Sequence, residues 1–176
     1  LIANPAELFV VATLADTGEV RYFTKADMAQ DHYQILMASS CVPGVNRPYK
    51  IDGVLYFDGA LSDPVPIQKA FDEGCDRVVL ILTKPAGVPR KPGKDRVLAN
   101  LIQRQYPIAA RQLRQRAERY NLAVQLAKNY EKEGRMIVLS PDDISGVDTL
   151  KRNCSALQRL YQKGVRDGKK LLDWMK

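Results

Sequence analysis

Five consecutive aliphatic residues, Val78-Val79-Leu80-Ile81-Leu82, stand between Arg77 and Thr83. A run this short and this free of polar side chains reads as a strand with no water-facing side, because a half-exposed strand alternates. Such a strand needs neighbours on both edges and helices on both faces, which confines the chain to the α/β class. The surrounding segments supply few candidate neighbours, so part of the sheet is expected to lie elsewhere.

Short apolar runs and helical patterns alternate along the rest of the chain, with some antiparallel pairing. Leu8 to Leu14, the turn around Ala15-Asp16-Thr17-Gly18-Glu19 and Val20 to Phe23 read as a hairpin. Asp27 is placed to cap a helix running through Met28, Tyr33, Ile35, Leu36 and Met37, halted near Pro43-Gly44. Tyr49 to Ile51, Asp52-Gly53 and Val54 to Phe57 form a second hairpin signal, since Asp-Gly suits a two-residue turn. Pro66 to Gly74 reads as a short helix opened by proline and closed by glycine. Residues 84–94, with three prolines and two glycines, read as a linker. A long helical pattern then covers about 95–134, with a break near Tyr106-Pro107. Arg135 to Leu139 returns to strand character, and two helices are expected at the end, Leu150 to Lys163 and Val165 to Lys176.

Charge and chemistry-bearing residues narrow the function classes. Residues 1–83 carry 6 basic and 11 acidic side chains, a balance of −5; residues 84–176 carry 21 and 9, a balance of +12. That asymmetry points to an anionic partner surface for the second half, or to solvated helix faces. Arg104, Arg111, Arg114, Arg116 and Arg119 crowd one helical region among glutamines, with no recognition-helix or aromatic stacking motif for specific nucleic-acid readout. Three scattered cysteines, Cys41, Cys75 and Cys154, and a single histidine, His32, fit reduced thiols and leave no basis for a disulfide frame, a metal site or a cofactor. No apolar run approaches a membrane span. The opening Leu1-Ile2-Ala3-Asn4 has no signal-peptide character and no Met, so further residues are expected upstream.

The stretch VLYFDGALSDPVP, Val54 to Pro66, places a carboxylate, Asp58, at the tip of an apolar strand. Ligands of open α/β sheets bind at the carboxyl ends of strands. Gly59 lets the backbone turn away without a Cβ clash, and Ala60 lets another group come close. The alternative is a plain Asx turn, with Asp58 accepting from a backbone N–H two residues on. Asp63, beside Pro64, reads as a turn-shaping residue; Cys41 reads as a buried inert thiol; and His32 reads as a surface or half-buried helix residue.

The ordered set Ala38-Ser39, Pro43, Tyr56, Asp58-Gly59-Ala60, Asp63-Pro64 and Val78 to Leu82 resembles the patatin-like phospholipase family. FVVATLADTGEVRYF looks like the strand and Thr-Gly turn ahead of that set, and the helical tail resembles the end of a bacterial branch. The resemblance implies a three-layer α/β/α sandwich, here incomplete and followed by a C-terminal helical extension. It also implies hydrolysis of lipid acyl esters by a dyad of serine and aspartate without histidine, with Asp58 as the dyad aspartate and Gly59-Ala60 as its motif turn.

The family's Gly-x-Ser-x-Gly elbow and glycine-rich oxyanion loop are not found. None of Ser39, Ser40, Ser62, Ser140, Ser145 and Ser155 has glycine two residues away on both sides. The chain therefore reads as the later part of such a hydrolase: residues 1–83 the C-terminal half of the catalytic domain, 84–94 a linker, and 95–176 a basic helical extension with one strand packed on the same domain. The segment alone is expected to be inactive. Its expected partners are a lipid or small acyl ester, an anionic membrane surface and the N-terminal half of the same protein, in a cytoplasmic or peripheral membrane setting. The competing reading is a non-catalytic scaffold that binds membranes or anions on the same fold.

Overall fold

A computed structural model describes residues 2–147 and 153–175. The chain divides into two compact units, Leu1–Val65 with Arg90–Asn121, and Pro66–Pro89 with Leu122–Lys176. These do not follow a cut at residues 83 and 94: the proline-rich 84–94 stretch is split between them.

The first unit is built on a four-stranded antiparallel sheet. β1 (Phe9–Leu14) pairs with β2 (Val20–Thr24) and β4 (Val54–Asp58), and β4 pairs with β3 (Tyr49–Ile51), giving the order β2-β1-β4-β3. Both hairpins fall where the turn chemistry puts them. Asp52 and Gly53 sit at φ 47° and 86°, the positive values a two-residue turn requires.

Alternation along the strands sends side chains into two cores. Val10, Ala12, Phe23 and Tyr56 pack with Ile35 and Ala38 of α1 (Gln34–Ser39) on one face. Phe57 and Leu61 pack on the other face with Ala99 and Ile102 of α3 (Gly93–Ile102) and with Ala109, Ala110 and Leu113 of α4 (Pro107–Lys132). Helices thus lie on both faces of the sheet, consistent with an incomplete patatin-like α/β/α fold. The helix break falls at 103–106, and Pro107 opens α4, where its missing N–H costs nothing.

The helix expected from Asp27 is displaced. Thr24 and Asp27 instead close a capping box around a single 3₁₀ turn, Lys25–Asp27, with the Thr24 N–H 2.7 Å from Asp27 Oδ2. Asp31 adopts φ 62°, which interrupts helical propagation, and α1 starts only at Gln34. His32 is accordingly an exposed loop residue and not a helix residue.

In the second unit, α2 (Ile67–Asp72) follows the expected proline–glycine bracket, and β5 (Val78–Ile81) pairs in parallel with β6 (Met136–Leu139). The rings of Tyr130 and Phe71 meet at a tilt of 50° with 4.7 Å between centres, and the Arg135 guanidinium lies 4.5 Å over Phe71. The expectation that the 78–82 strand is covered on both faces is not met. Among the described residues β5 has a strand on one edge only, and Val79 and Ile81 are 36% and 71% exposed. The aliphatic run calls for more cover than these residues provide.

The two terminal helices are one, α5 (Cys154–Trp174), which runs through Gly164 and Gly168. Two interior glycines cost about 1 kcal/mol each relative to Ala. The Asn153 cap on Ala156 N–H and the Asp167 pairs with Lys163 and Lys170 act in the opposite direction. The expected start of the first helix, at Leu150, lies outside the described residues. No helix among the described residues is long and apolar enough to cross a membrane.

Candidate functional site

Asp58 is the last residue of β4, opposite Ala12 of β1, and its place in the alternation puts it on the face of Tyr56. Its backbone is held on both sides. The Asp58 N–H donates to Cys41 C=O at 2.8 Å, and Thr13 Oγ1 donates to Asp58 C=O at 2.9 Å. Thr13 is fully buried and its hydroxyl has one proton, given to Asp58. The 2.8 Å contact with Ser62 Oγ therefore has Ser62 as donor.

The carboxylate itself closes the Asx turn, with Ala60 N–H donating to Oδ1 at 2.8 Å. Oδ2 makes no hydrogen bond among the described residues, and Asp58 forms no salt bridge among them. The turn reading is met: among the described residues one oxygen anchors the turn and the other accepts no hydrogen bond. The carboxylate is half-buried.

Gly59 is required here for closeness and not for a special dihedral. A Cβ at this position would lie 2.3 Å from the Val11 carbonyl oxygen and 2.7 Å from Val11 Cβ. It is at Gly59, more than at Ala60, that a second backbone approaches. A single 3₁₀ turn, Gly59–Leu61, follows, and the Arg119 guanidinium of α4 caps it at Leu61 C=O. Asp63 shapes the exit as expected: its N–H donates to Gly59 C=O at 2.9 Å, and its Oδ2 accepts from Tyr22 Oη at 2.5 Å.

Sequence reasoning did not find Thr13, Tyr22 or Arg119 as supports of this turn. Thr13 carries a signal only once strand register is known, because a polar residue facing the inner side of a buried strand needs a partner. Arg119 sits in the basic cluster, where its charge masked an inward role. Burial, and then the nearby Arg111, lower its pKa. Arg116 is also turned inward, its guanidinium paired with both Asp95 oxygens, while Arg90 lies 3.5 Å from Asp95 Oδ2. Two of the five clustered arginines are therefore committed to the interior.

Cys41 is buried, as expected. Burial pushes its thiol up, a backbone hydrogen bond from Tyr49 acts the other way, and the Asp58 charge adds to the rise. A thiol kept protonated is a poor nucleophile, so the inert reading stands. No group of three or more His, Cys, Asp or Glu among the described residues is arranged to hold a metal ion.

Asp58 thus stands at a strand end in an antiparallel sheet with helices on both faces. Residues 3–71, which include the whole Asp58 turn, match the family described as Patatin-like phospholipase. Residues 106–176 match a domain of unknown function, DUF6363. The chain is also 29% identical over 94 residues to the uncharacterized protein YjjU of Escherichia coli (strain K12), covering 47% of this chain and 26% of that protein. The aligned part thus spans about a quarter of the length of that curated relative. Over residues 3–71 the family match supports the resemblance read from the sequence.

Proposed function

We propose that this chain carries the acid–base half of a serine-type lipid acyl ester hydrolase, with Asp58 as the base of a Ser-Asp dyad. The observation that carries the reading is the state of the Asp58 carboxylate. Oδ1 is pinned by Ala60 N–H, while Oδ2 has neither hydrogen bond nor ion pair among the described residues, within the segment that matches the family.

In the proposed cycle, Oδ2 takes the proton of a serine hydroxyl as its oxygen attacks the ester carbonyl. The proton then passes to the departing alcohol, leaving an acyl-serine that water releases by the same steps. An ordinary aspartate, with a pKa near ~3.9, is a weak base, so the dyad needs water excluded around Oδ2 when the ester is bound. The serine and the donors that face the oxyanion are proposed to come from outside these residues, since no serine here stands in an elbow motif.

The test is the full-length protein that contains this chain, assayed on 4-nitrophenyl butyrate and on phosphatidylcholine. Asp58→Asn is nearly isosteric and keeps the side-chain oxygen for the Ala60 bond. A drop of roughly a thousandfold or more in kcat on both substrates is expected, from loss of the general base. Wild-type rates in that variant would end the proposal. Residues 1–176 alone are expected to show no turnover.

A further inference from the structure

We propose that the first unit docks on anionic lipid surfaces through the outer stripe of α3 and the 44–47 loop beside it. This goes beyond the assignment of Asp58 and stands whether or not that residue is catalytic.

Lys94, Val97 and Leu101 fall at i, i+3 and i+7 on α3 and share one face. The opposite side buries Asp95, Ala99 and Ile102. Val97 and Leu101 are 70% and 72% exposed, an unusual condition for two aliphatic side chains on adjacent turns. The loop adjoins this helix: a Cβ at Gly44 would lie 3.0 Å from Leu98 Cδ2, and an open cavity of about 660 Å³ is lined jointly by Val45, Arg47, Leu101 and Gln105. Val45, at the loop tip, is 72% exposed.

Charge selects the occupant. Arg47, Lys94 and Arg104 are exposed around these aliphatic tips. Residues 42–50 contain no acidic side chain, and residues 90–106 contain only Asp95, which is buried against Arg116 and Arg90. The stretch thus offers cations to solvent and no exposed carboxylate to cancel them. Aliphatic tips on a cationic ground fit a bilayer interface, where the tips enter the acyl boundary and the cations meet anionic headgroups. A nucleic acid would be met instead by stacking aromatic side chains, and the three exposed tips are all aliphatic.

The probe is vesicle co-sedimentation of the full-length protein with 30:70 phosphatidylglycerol:phosphatidylcholine and with phosphatidylcholine alone. Binding to the anionic vesicles that weakens with added salt is expected, together with little binding to the neutral ones. Arg47→Glu/Lys94→Glu/Arg104→Glu should lower the partition coefficient roughly a hundredfold or more. Val45→Ser/Leu101→Ser should lower it about tenfold or more while leaving the salt dependence in place. All five positions are exposed, so circular dichroism should show both variants folded. No binding by the wild type, equal binding to neutral vesicles, or unchanged binding by the charge variant would each overturn the proposal. So would tighter binding to a DNA duplex than to the vesicles through the same three cations.

Discussion

Replacing Gly59 by alanine tests the geometry on which the Asp58 turn depends. The added methyl would sit 2.3 Å from the Val11 carbonyl oxygen, 2.6 Å from its carbon and 2.7 Å from Val11 Cβ. Relief requires β1 and the start of the turn to part by ~1 Å, in an interior packed as densely as an organic crystal. The obstacle is backbone, so no side chain can swing aside, and the two strands are tied by the Ala12, Thr13 and Leu14 pairings with β4. Overpacking of this kind costs about 1–3 kcal/mol. For a protein of this size that lowers Tm by roughly 2–12 °C. A shift of ~1 Å at Asp58 would lower kcat by about a hundredfold if that residue is the base. Gly53→Ala is the control: Gly53 lies at φ 86° with nothing within 4 Å of an added Cβ, so its penalty is conformational strain in the β3–β4 turn, away from Asp58. Thermal unfolding by circular dichroism and, in the full-length protein, initial rates on 4-nitrophenyl butyrate are the two readouts. A Gly59→Ala protein with Tm and rate both equal to wild type would refute the packing argument.

Two further predictions concern residues away from the turn. Asp95→Ala strands the buried Arg116 guanidinium and should destabilise the first unit by about 3–5 kcal/mol in urea unfolding, whereas Asp95→Leu/Arg116→Met should come close to wild type. Burial raises the Asp95 pKa, but Arg116 and Arg90 outweigh it and hold the folded value below the ordinary one. The stabilisation is therefore complete above the ordinary carboxylate pKa and lost as pH falls through the lowered folded value, an acid-side loss that the double variant should not show. Thiol labelling should find Cys75 and Cys154 fast and Cys41 slow, because the first two are exposed and the third is buried with a raised pKa. Three equally fast thiols would contradict the packing around α1.

The hairpins were legible because Asp52-Gly53 has few alternatives to a tight turn. The break before Pro107 was legible because proline removes a helix hydrogen bond. Local chemistry decided those features. The helix assigned from Asp27 failed because Thr24 takes the N-cap and Asp27 serves as the third residue of its box. The turn so started stops where Met28 goes extended, and Asp31 at φ 62° keeps the chain out of helical geometry until α1. Gly164 read as a terminator because its cost is local, while the α5 cap and the Asp167 pairs that oppose it are spread over three turns. At the candidate site, Asp58 and Gly59 were visible from their order along the chain. Their supports, Thr13, Tyr22 and Arg119, are 45, 41 and 58 residues from the groups they hold, a separation that no pattern within one element encodes.

The parallel pairing of β5 with β6 has a consequence for biosynthesis. Ile81 leaves the ribosome about 55 residues before Met136, so at ordinary elongation rates the β5 segment waits roughly 3–11 s for its partner strand. During that interval Val-Val-Leu-Ile has no charge or proline to discourage pairing with another nascent chain. Yield of this protein should therefore depend on chaperone supply and on how many ribosomes translate one message at once.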